Sequence, residues 1–376
     1  MQSIPFIDLK AQYDAYRVEL DQAMTRVIES TCFIQGPEVV ALEKELATYV
    51  GVRHCISCSS GTDALFIALR AIGIGPGDEV ITTGFSFFAT AGAISLTGAV
   101  PVFTDIDPNT CNIDPKLIEA RITDRTKAIL PVGLYGQPAD MDTINQIAKK
   151  HGLIVIEDAA QSFGSLYKGR RSCSLSSIGC TSFYPAKPLG SFGEGGALFT
   201  DDDELAVRMR QIMNQGQKAG YDHAVVGING RLQALQAAVL RVKLFHFDEE
   251  LIARSKVAAR YDQALAGIEG IVVPKIKPEC TSVYAQYTIR TQNREGLRDY
   301  LTSLGIPTAV HYDKPIFRQS AYTDLGEDWL KENIVQCPVC ENAAMEVLSL
   351  PFGPFLKESD QDRVIDGLNS FKRREL

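Results

Sequence analysis

The sequence predicts an α/β fold in which a large, mostly parallel β-sheet is followed by a smaller C-terminal α/β domain. Short apolar runs bounded by Gly, Pro or Asp alternate with helical patterns between residues 54 and 200, as in sheets with helices on both faces. The chain has 376 residues, enough for a large domain and a smaller one. A long helical stretch, 232–265, links the two parts. We therefore expect a large domain over residues 1–245, with an N-terminal helical segment, and a small domain over 246–376.

Local patterns predict each element in chain order. Apolar residues recur at helical spacing in 8–50, in 62–72 and in 141–150, so these stretches are expected to be helical. The predicted strands are short apolar runs that end at turn-forming residues. They cover residues 54–58, 79–82, 100–103, 128–132, 153–156 and 196–200. Beyond one or two long helices in 232–265, we expect strands at 284–290 and 306–310, a helix at 294–304 and a terminal helix after residue 359.

Composition narrows the functional class. The formal net charge is -8, with 46 acidic and 38 basic residues, which does not favour binding to nucleic acid or to an anionic membrane. The first residues lack the pattern of a signal peptide, and no apolar run reaches the roughly 20 residues needed to span a bilayer. The nine cysteines are odd in number and mostly lie in apolar runs, which indicates reduced thiols in the cytoplasm.

Two Cys-x-x-Cys pairs, Cys55/Cys58 and Cys337/Cys340, raise the alternative of a shared zinc site. However, Cys55 lies in a strand-like run, and no histidine cluster accompanies either pair. We therefore expect free thiols and no metal.

A lysine and a carboxylate follow two different predicted strands. Lys187 comes after the strand-forming run around 181–183 and before a Gly-rich segment, and Asp158 ends an apolar strand. In parallel sheets, ligands bind at the carboxyl ends of strands. An amine and an acid placed there suit pyridoxal phosphate (PLP), held as a Schiff base on the lysine with the acid beside its ring nitrogen. The alternatives are a solvated lysine and an aspartate that caps the next helix.

The remaining requirements of PLP have candidates nearby. Gly61 and Thr62 start a helix after a strand, which suits a phosphate, and the hydroxyl of Ser182 is a further phosphate ligand. A plain helix cap is the competing interpretation. Phe87 is our choice among three aromatic residues to stack on the ring, and Gln161 is placed to hold the ring hydroxyl. The neighbour of Asp158, Glu157, should point to the other face of the sheet.

Three further features are less specific. Residues 168–171 form a basic turn that we expect to be a hairpin tip, although it could meet a diphosphate. His311 and Tyr312 follow a predicted strand, where a histidine is most often structural. Asn229 precedes a helix and could be a simple cap.

Taken together, these segments resemble the DegT/DnrJ/EryC1/StrS nucleotide-sugar aminotransferases along nearly the whole chain. The segments that carry the resemblance, in order, are Gly61-Thr62-Asp63-Ala64-Leu65, Glu157-Asp158-Ala159-Ala160-Gln161, Ser182-Phe183-Tyr184-Pro185-Ala186-Lys187, Gly193-Glu194-Gly195-Gly196, Asn229-Gly230-Arg231-Leu232 and Val310-His311-Tyr312. The ordered set is specific, whereas each piece alone is not.

The resemblance implies a type I PLP-dependent aminotransferase fold and a homodimer whose active sites lie at the interface. It implies Lys187 as the Schiff-base lysine, Asp158 on the ring nitrogen and Gln161 on the ring oxygen. It also implies that Gly61, Thr62 and Ser182 hold the phosphate with Asn229 of the second subunit, and that Phe87 stacks on the ring.

Within the family, 6–10, 171–176 and 282–288 are similar to bacterial enzymes that aminate C3 of UDP-2-acetamido-2-deoxy-3-oxo-glucuronate. That similarity makes Arg231, His311 and Tyr312 of the second subunit candidates to meet the sugar carboxylate or hydroxyls, since an arginine fork suits a carboxylate. Two positions depart from the family pattern. Glu194 stands where relatives usually have Asp, and Gly353 stands where many have His.

The resemblance therefore implies transamination of a UDP-3-keto-hexuronate with L-glutamate, in bacterial O-antigen sugar synthesis. A C4 or dTDP-sugar C3 aminotransferase of the same family is the first alternative. A non-catalytic PLP-binding regulatory protein is the second. A dehydratase relative is disfavoured because that branch replaces the lysine with histidine, and an NAD enzyme is disfavoured because no Gly-x-Gly-x-x-Gly follows an early strand.

Overall fold

A seven-stranded sheet forms the centre of the protein in this computed structural model, which describes residues 4–325 and 336–375. The strand order is β1-β9-β8-β5-β4-β2-β3. Strands β8, β5, β4, β2 and β3 pair in parallel, whereas β9 lies antiparallel between β8 and β1. The strands of this sheet are β1 His54–Cys58, β2 Glu79–Thr83, β3 Val100–Thr104, β4 Thr126–Leu130, β5 Ile154–Asp158, β8 Ile178–Ser182 and β9 Gly196–Thr200. The predicted α/β fold with a mostly parallel sheet is confirmed.

Helices cover both faces of the sheet, and three small antiparallel pairs lie outside it. The helices are α1 Leu9–Ser30, α2 Pro37–Val50, α3 Gly61–Ala71, α4 Ala89–Leu96, α5 Met141–His151, α6 Asp203–Met213, α7 Ala234–Leu265, α8 Arg294–Ser303, α9 Ser320–Thr323, α10 Pro338–Glu346 and α11 Glu358–Glu375. The small pairs are β6 Leu166–Tyr167 with β7 Arg170–Arg171, β10 Gln217–Ala219 with β11 Asp222–His223, and β12 Tyr287–Arg290 with β13 Val347–Leu350.

Local chemistry explains several helix boundaries. α2 begins with Pro37, whose fixed φ suits the first helical position, and α5 is capped by Asp140, whose carboxylate accepts from the Thr143 N–H at 3.3 Å. Both helices end at a glycine in the left-handed conformation, Gly51 and Gly152, which a residue with a Cβ adopts only with strain.

α7 is one continuous helix across the predicted domain boundary between residues 245 and 246. Its first half packs into the core beneath the large sheet through residues such as Ala237 and Phe247. Its second half packs into a C-terminal core with α8, α11 and β12–β13 through Tyr261 and Leu265. The helix therefore ties the two parts of the chain together.

The structure corrects one predicted strand and confirms one hairpin. Residues 306–310 do not form a strand, because only Ala309 makes a bridge, to Ser349. The basic turn at 168–171 does join two antiparallel strands, β6 and β7, as predicted.

Candidate active site

Strands β1, β2, β5 and β8 point their carboxyl ends toward one edge of the large sheet. β2, β5 and β8 share a direction through parallel pairing, and β9 restores that direction in β1 because it runs antiparallel to both of its neighbours. The predicted site residues follow these ends: Gly61 and Thr62 after β1, Phe87 after β2, Asp158 at the end of β5, Ser182 at the end of β8, and Lys187 in the loop beyond it.

Asp158 is a buried carboxylate, 5% exposed. It accepts hydrogen bonds from the Thr90 hydroxyl at 2.9 Å and from the Ala160 N–H at 3.1 Å. Burial raises the pKa of Asp158, and these two hydrogen bonds and the charge of Lys187 oppose the rise. A further cation beside this carboxylate would hold it ionised, which is what a protonated ring nitrogen offers.

Lys187 lies in a tight loop after β8 and is half-buried. Its N–H donates to the carbonyl of Tyr184 at 2.8 Å, which closes a turn beneath the side chain. Burial lowers the pKa of Lys187, while the charge of Asp158 acts in the opposite direction. The shift favours the neutral amine, which is the form that acts as a nucleophile or a base.

The start of α3 and the end of β8 form a cradle for an anion. The hydroxyl of Ser60 caps α3 by accepting from the Asp63 N–H at 3.0 Å, and the N–H groups of Gly61 and Thr62 have no acceptor among the residues that the structure describes. A Cβ on Gly61 would lie 2.5 Å from the Cβ of Ser182, so glycine lets the helix approach the strand. Two free amides at a helix N-terminus beside a hydroxyl suit a phosphate.

Gln161 and three aromatic side chains form the wall of the site. Gln161 accepts from the Tyr135 N–H at 2.9 Å and donates to the Tyr312 hydroxyl at 3.2 Å. Phe87 is 54% exposed, and its ring centroid lies 6.0 Å from that of Tyr312. Phe85 is fully buried in the core, so Phe87 is the one of the two with a free ring face.

His311 and Tyr312 lie in the cleft of their own chain, whereas the resemblance places them in the second subunit, and their role in binding the substrate stays a prediction. The Tyr312 hydroxyl accepts a hydrogen bond from Gln161, and the charge of Lys187 acts on the imidazole of His311. Nδ1 of His311 is hydrogen-bonded to the Ser349 hydroxyl at 2.9 Å. Burial and, to a smaller extent, the charge of Lys187 lower the pKa of His311 to about 4, so the ring is neutral at physiological pH.

Asn229 and Arg231 flank Gly230, whose carbonyl accepts from the Ser59 N–H at 2.8 Å, just before the phosphate cradle. Asn229 is exposed, and its side-chain oxygen accepts from Nε of Arg231 at 2.9 Å. Arg231 lines an open groove of about 700 Å³ on the side of β1 and α6. Neither side chain makes a contact in this chain that involves Lys187 or Asp158. Their site roles stay predictions.

Glu157 faces away from the site, as the alternation of side chains along β5 predicts. It is buried and accepts from the Cys173 N–H at 2.8 Å. Desolvation raises the pKa of Glu157 to about 7, although hydrogen bonds from residues 172–175 partly oppose the rise. The two adjacent carboxylates therefore serve opposite faces of the sheet.

Sequence reasoning missed two residues that orient the site. Thr90, in the first turn of α4, donates to Asp158, and Tyr135 contacts both Gln161 and the carbonyl of His311. Thr90 could have been suspected because it begins the helix after the aromatic run. Tyr135 carries no such signal, since its position depends on a backbone with φ 57°.

The Cys-x-x-Cys pairs lie in separate places. Cys55 and Cys58 are buried in β1, whereas Cys337 and Cys340 begin α10 beside Asp105, with ligand atoms of the three residues within 4.8 Å of one another. Asp105 is already engaged as the cap of α10, since it accepts from the N–H groups of Val339 at 3.0 Å and Cys340 at 2.8 Å. Among residues 4–325 and 336–375, no fourth metal ligand joins this group.

The residues present fit PLP. The cradle at Gly61, Thr62 and Ser182 matches a phosphate, and the buried carboxylate of Asp158 matches a cationic ring nitrogen. Lys187 supplies the amine within electrostatic reach of that carboxylate. These residues therefore suit the phosphate, the ring nitrogen and the Schiff-base carbon of the cofactor.

The chain is similar to known proteins along nearly its whole length. The sequence profile of the DegT/DnrJ/EryC1/StrS aminotransferase family matches residues 15–369. The chain is 54% identical to UDP-2-acetamido-2-deoxy-3-oxo-D-glucuronate aminotransferase of Pseudomonas aeruginosa, over 94% of this chain and 96% of the relative. It is 47% identical to a protein of Geobacillus stearothermophilus named pleiotropic regulatory protein, over 99% of both chains.

A solved structure extends the comparison to three dimensions. The Streptomyces venezuelae protein DesV, crystallised in complex with a ketimine intermediate, superposes with a TM-score of 0.96 at 44% identity and covers 100% of both chains. Within the described residues, no helix combines the length and apolarity required to cross a membrane.

Proposed function

Because the chain belongs to the DegT/DnrJ/EryC1/StrS aminotransferase family and is a PLP-dependent aminotransferase, we propose that it aminates C3 of a UDP-2-acetamido-2-deoxy-3-oxo-hexuronate with L-glutamate as donor. The observation that carries the substrate is the 54% identity, across 94% of the chain, to the Pseudomonas aeruginosa enzyme of that name. In the overall exchange, glutamate becomes 2-oxoglutarate and the sugar ketone becomes an amine.

The cofactor would be held by the residues that form the cleft. Gly61, Thr62 and Ser182, with Asn229 of a second subunit, would bind the phosphate, and Gln161 would hold the ring oxygen. When bound, PLP supplies an electron-withdrawing ring that makes a proton on the carbon next to the amine easier to remove. Phe87 would cover one ring face.

Asp158 would keep a proton on the ring nitrogen. Its burial disfavours a lone carboxylate, so pairing with an N–H cation stabilises both charges. Thr90 holds the carboxylate in place through a 2.9 Å hydrogen bond.

Lys187 would move the proton between the amino-acid carbon and the cofactor carbon. Burial lowers its pKa, so the neutral amine can take a proton as a general base and return it as a general acid. Neutral His311 beside it adds no competing positive charge.

The sugar would be recognised by Arg231, His311 and Tyr312. His311 and Tyr312 lie beside Lys187 and Gln161, where they could meet sugar hydroxyls. We assign the sugar carboxylate to the Arg231 fork of a second subunit, because a guanidinium matches a carboxylate and Arg231 lies outside the cleft of its own chain.

The proposal therefore includes a homodimer with shared sites. The exposure of Asn229 and the open groove beside Arg231 support it, because both features leave polar groups on the surface of a single chain. We also propose a cytoplasmic enzyme of O-antigen sugar synthesis, which nine unpaired cysteines support.

The test is a substrate panel with the wild-type protein and Lys187→Ala. We expect glutamate-dependent amination of a UDP-3-keto-hexuronate and at least a hundredfold lower turnover in Lys187→Ala, because no other amine replaces the lysine. A 4-keto-6-deoxy sugar and a dTDP-3-keto sugar test the alternative substrates. Preferred turnover of either one would refute the uronate assignment, and unchanged turnover in Lys187→Ala would refute the role of the lysine.

A second candidate is a PLP-binding regulatory protein without turnover, which the name of the Geobacillus stearothermophilus relative favours. The two functions differ in one observation. An aminotransferase loses the visible absorbance of its bound cofactor when glutamate is added, whereas a regulatory protein keeps it.

A further inference from the structure

The loop that carries Lys187 is held from behind by α7. The carbonyl of Gly190 accepts a hydrogen bond from Nζ of Lys243 at 2.8 Å, and the N–H of Phe192 donates to Oε1 of Gln236 at 2.9 Å. Gln236 and Lys243 both lie on α7, two helical turns apart, and therefore on one face. The helix thus anchors the loop at two points just beyond Lys187.

The loop is folded tightly on itself, so these anchors act on a rigid unit. The N–H of Ser191 donates to the carbonyl of Phe183 at 2.8 Å, and that of Lys187 donates to Tyr184. A Cβ on Gly190 would lie 2.4 Å from the carbonyl oxygen of Pro185, so the two arms of the loop are in contact. A displacement of the Gly190 backbone should therefore also displace Lys187.

Lys243 occupies an unusual position for a lysine. It is 3% exposed, and Gly190 is its hydrogen-bond acceptor among the residues that the structure describes. Its ammonium also lies 4.7 Å above the ring of Phe192. Burial of an ammonium is costly unless it is paired, so a lysine here needs the acceptor it reaches.

The charge of Lys243 is balanced by Glu250 on the same helix. Glu250 is buried near Lys243 and accepts two hydrogen bonds from Gln12, at 2.8 and 3.0 Å. Arg254 is a second buried cation near Glu250. Removal of the Lys243 charge therefore leaves Glu250 with a compensating cation, and we expect such a variant to fold.

We propose that Lys243 is a positioning residue for the reaction, which holds the amine of Lys187 at the proton-transfer position through the Gly190 carbonyl. This inference rests on the proposed role of Lys187. A displacement of about 1 Å in a reacting group can cost on the order of a hundredfold in rate. The hydrogen bond should therefore act on turnover more than on binding.

The experiment compares Lys243→Met and Lys243→Arg with Lys256→Met, an exposed lysine on the same helix. In Lys243→Met we expect kcat for the glutamate half-reaction to fall at least tenfold, with KM within about threefold. We expect amide hydrogen exchange at Lys187 and Ser191 to quicken about tenfold, measured without substrate. Lys243→Arg keeps a hydrogen-bond donor, so it should restore part of kcat and part of the exchange protection. Lys256→Met should change neither kcat nor the exchange rates.

Gln236→Leu provides a second variant that removes the other anchor without altering the buried charge, and it should show the same pattern. Unchanged exchange and unchanged kcat in a folded Lys243→Met would overturn the inference, as would an equal effect in Lys256→Met. If the wild-type protein showed no transamination, the proposed function would fail, while the exchange rates would still report on the anchor.

Discussion

Burial in the cleft shifts the pKa of three ionisable side chains, in each case toward the neutral form. It lowers the pKa of Lys187 and of His311, and it raises the pKa of Asp158. The result is a neutral imidazole and an amine shifted toward its neutral form, beside a carboxylate that gains most from a cationic partner. An enzyme that must move one proton from carbon to carbon benefits from this combination.

His311 makes the stability of the protein depend on pH. Its pKa is about 4 in the folded chain and 6.5 in the reference state, so the unfolded chain binds the proton more tightly. The stability that the buried neutral ring contributes is present above pH 6.5 and is lost as the pH falls through 4. The loss should reach roughly 3 kcal/mol. In His311→Asn, urea unfolding should depend less steeply on pH between 4 and 6.5.

His223→Asn, which changes an exposed histidine on β11, is the control for that measurement. It should follow the pH profile of the wild-type protein. If the free energy of unfolding of His311→Asn and of the wild-type protein changed with pH in parallel, the pKa of His311 would be the same in the folded and unfolded chains. That result would contradict the prediction.

Among the site residues, the sequence predicts best those that lie at or just after the end of a strand. Asp158, Gln161 and Tyr312 come together because Asp158 ends β5, Gln161 follows it, and Tyr312 bonds to Gln161. The sequence does not reveal Tyr135, since its backbone conformation is set by the surrounding fold. It also does not reveal Lys243, because a lysine on a helix is normally solvated and its burial depends on long-range packing.

The phosphate cradle forms where the start of α3 contacts the end of β8. Gly61 begins α3 where β8 ends, and the register of β8 with β9 places Ser182 opposite Gly196. β1 also pairs with Gly196, through Cys58. The three strands therefore fix the position of the cradle before any ligand binds.

Gly61→Ala should weaken PLP binding at least tenfold. The added Cβ would lie 2.5 Å from that of Ser182, so the helix start or the hydroxyl must move, at a cost of about 1–3 kcal/mol. Titration of the cofactor absorbance measures the affinity. Gly75→Ala is the matched control, because its Cβ would meet only Nη1 of Arg70, at 3.7 Å. Equal affinities for the two variants would mean that close approach is not required.

Strand order and direction were harder to predict than strand positions. The apolar runs locate β2 and β5, but a run alone does not show that β9 is antiparallel. The connection from β8 to β9 is the loop at 183–195 that carries Lys187, and it is long enough for either direction. The expected strand at 306–310 failed because only Ala309 meets a partner, so the segment passes the site as an irregular chain. That irregular path brings His311 and Tyr312 to the site of their own chain.

At the level of the whole molecule, shared sites predict complementation between two inactive variants. Lys187→Ala removes the amine of one subunit, and Asn229→Ala removes the phosphate ligand that we assign to the other. A hybrid dimer then holds one intact site. Coexpression in equal amounts should restore roughly a quarter of wild-type activity, because half of the dimers are hybrids with one working site.

Coexpression of two differently tagged Lys187→Ala chains is the control and should stay inactive. Hybrid dimers that form and yet remain inactive would show that Asn229 serves the site of its own chain.

The continuity of α7 has a consequence for recombining this protein with relatives. A crossover placed between residues 245 and 246 would join two helix halves of different origin, each shaped for a different core. It would also separate Lys243 from Glu250, whose charges balance each other. Functional chimeras should therefore be joined before Ala234 or after Leu265, so that the helix and both of its cores come from matched parents.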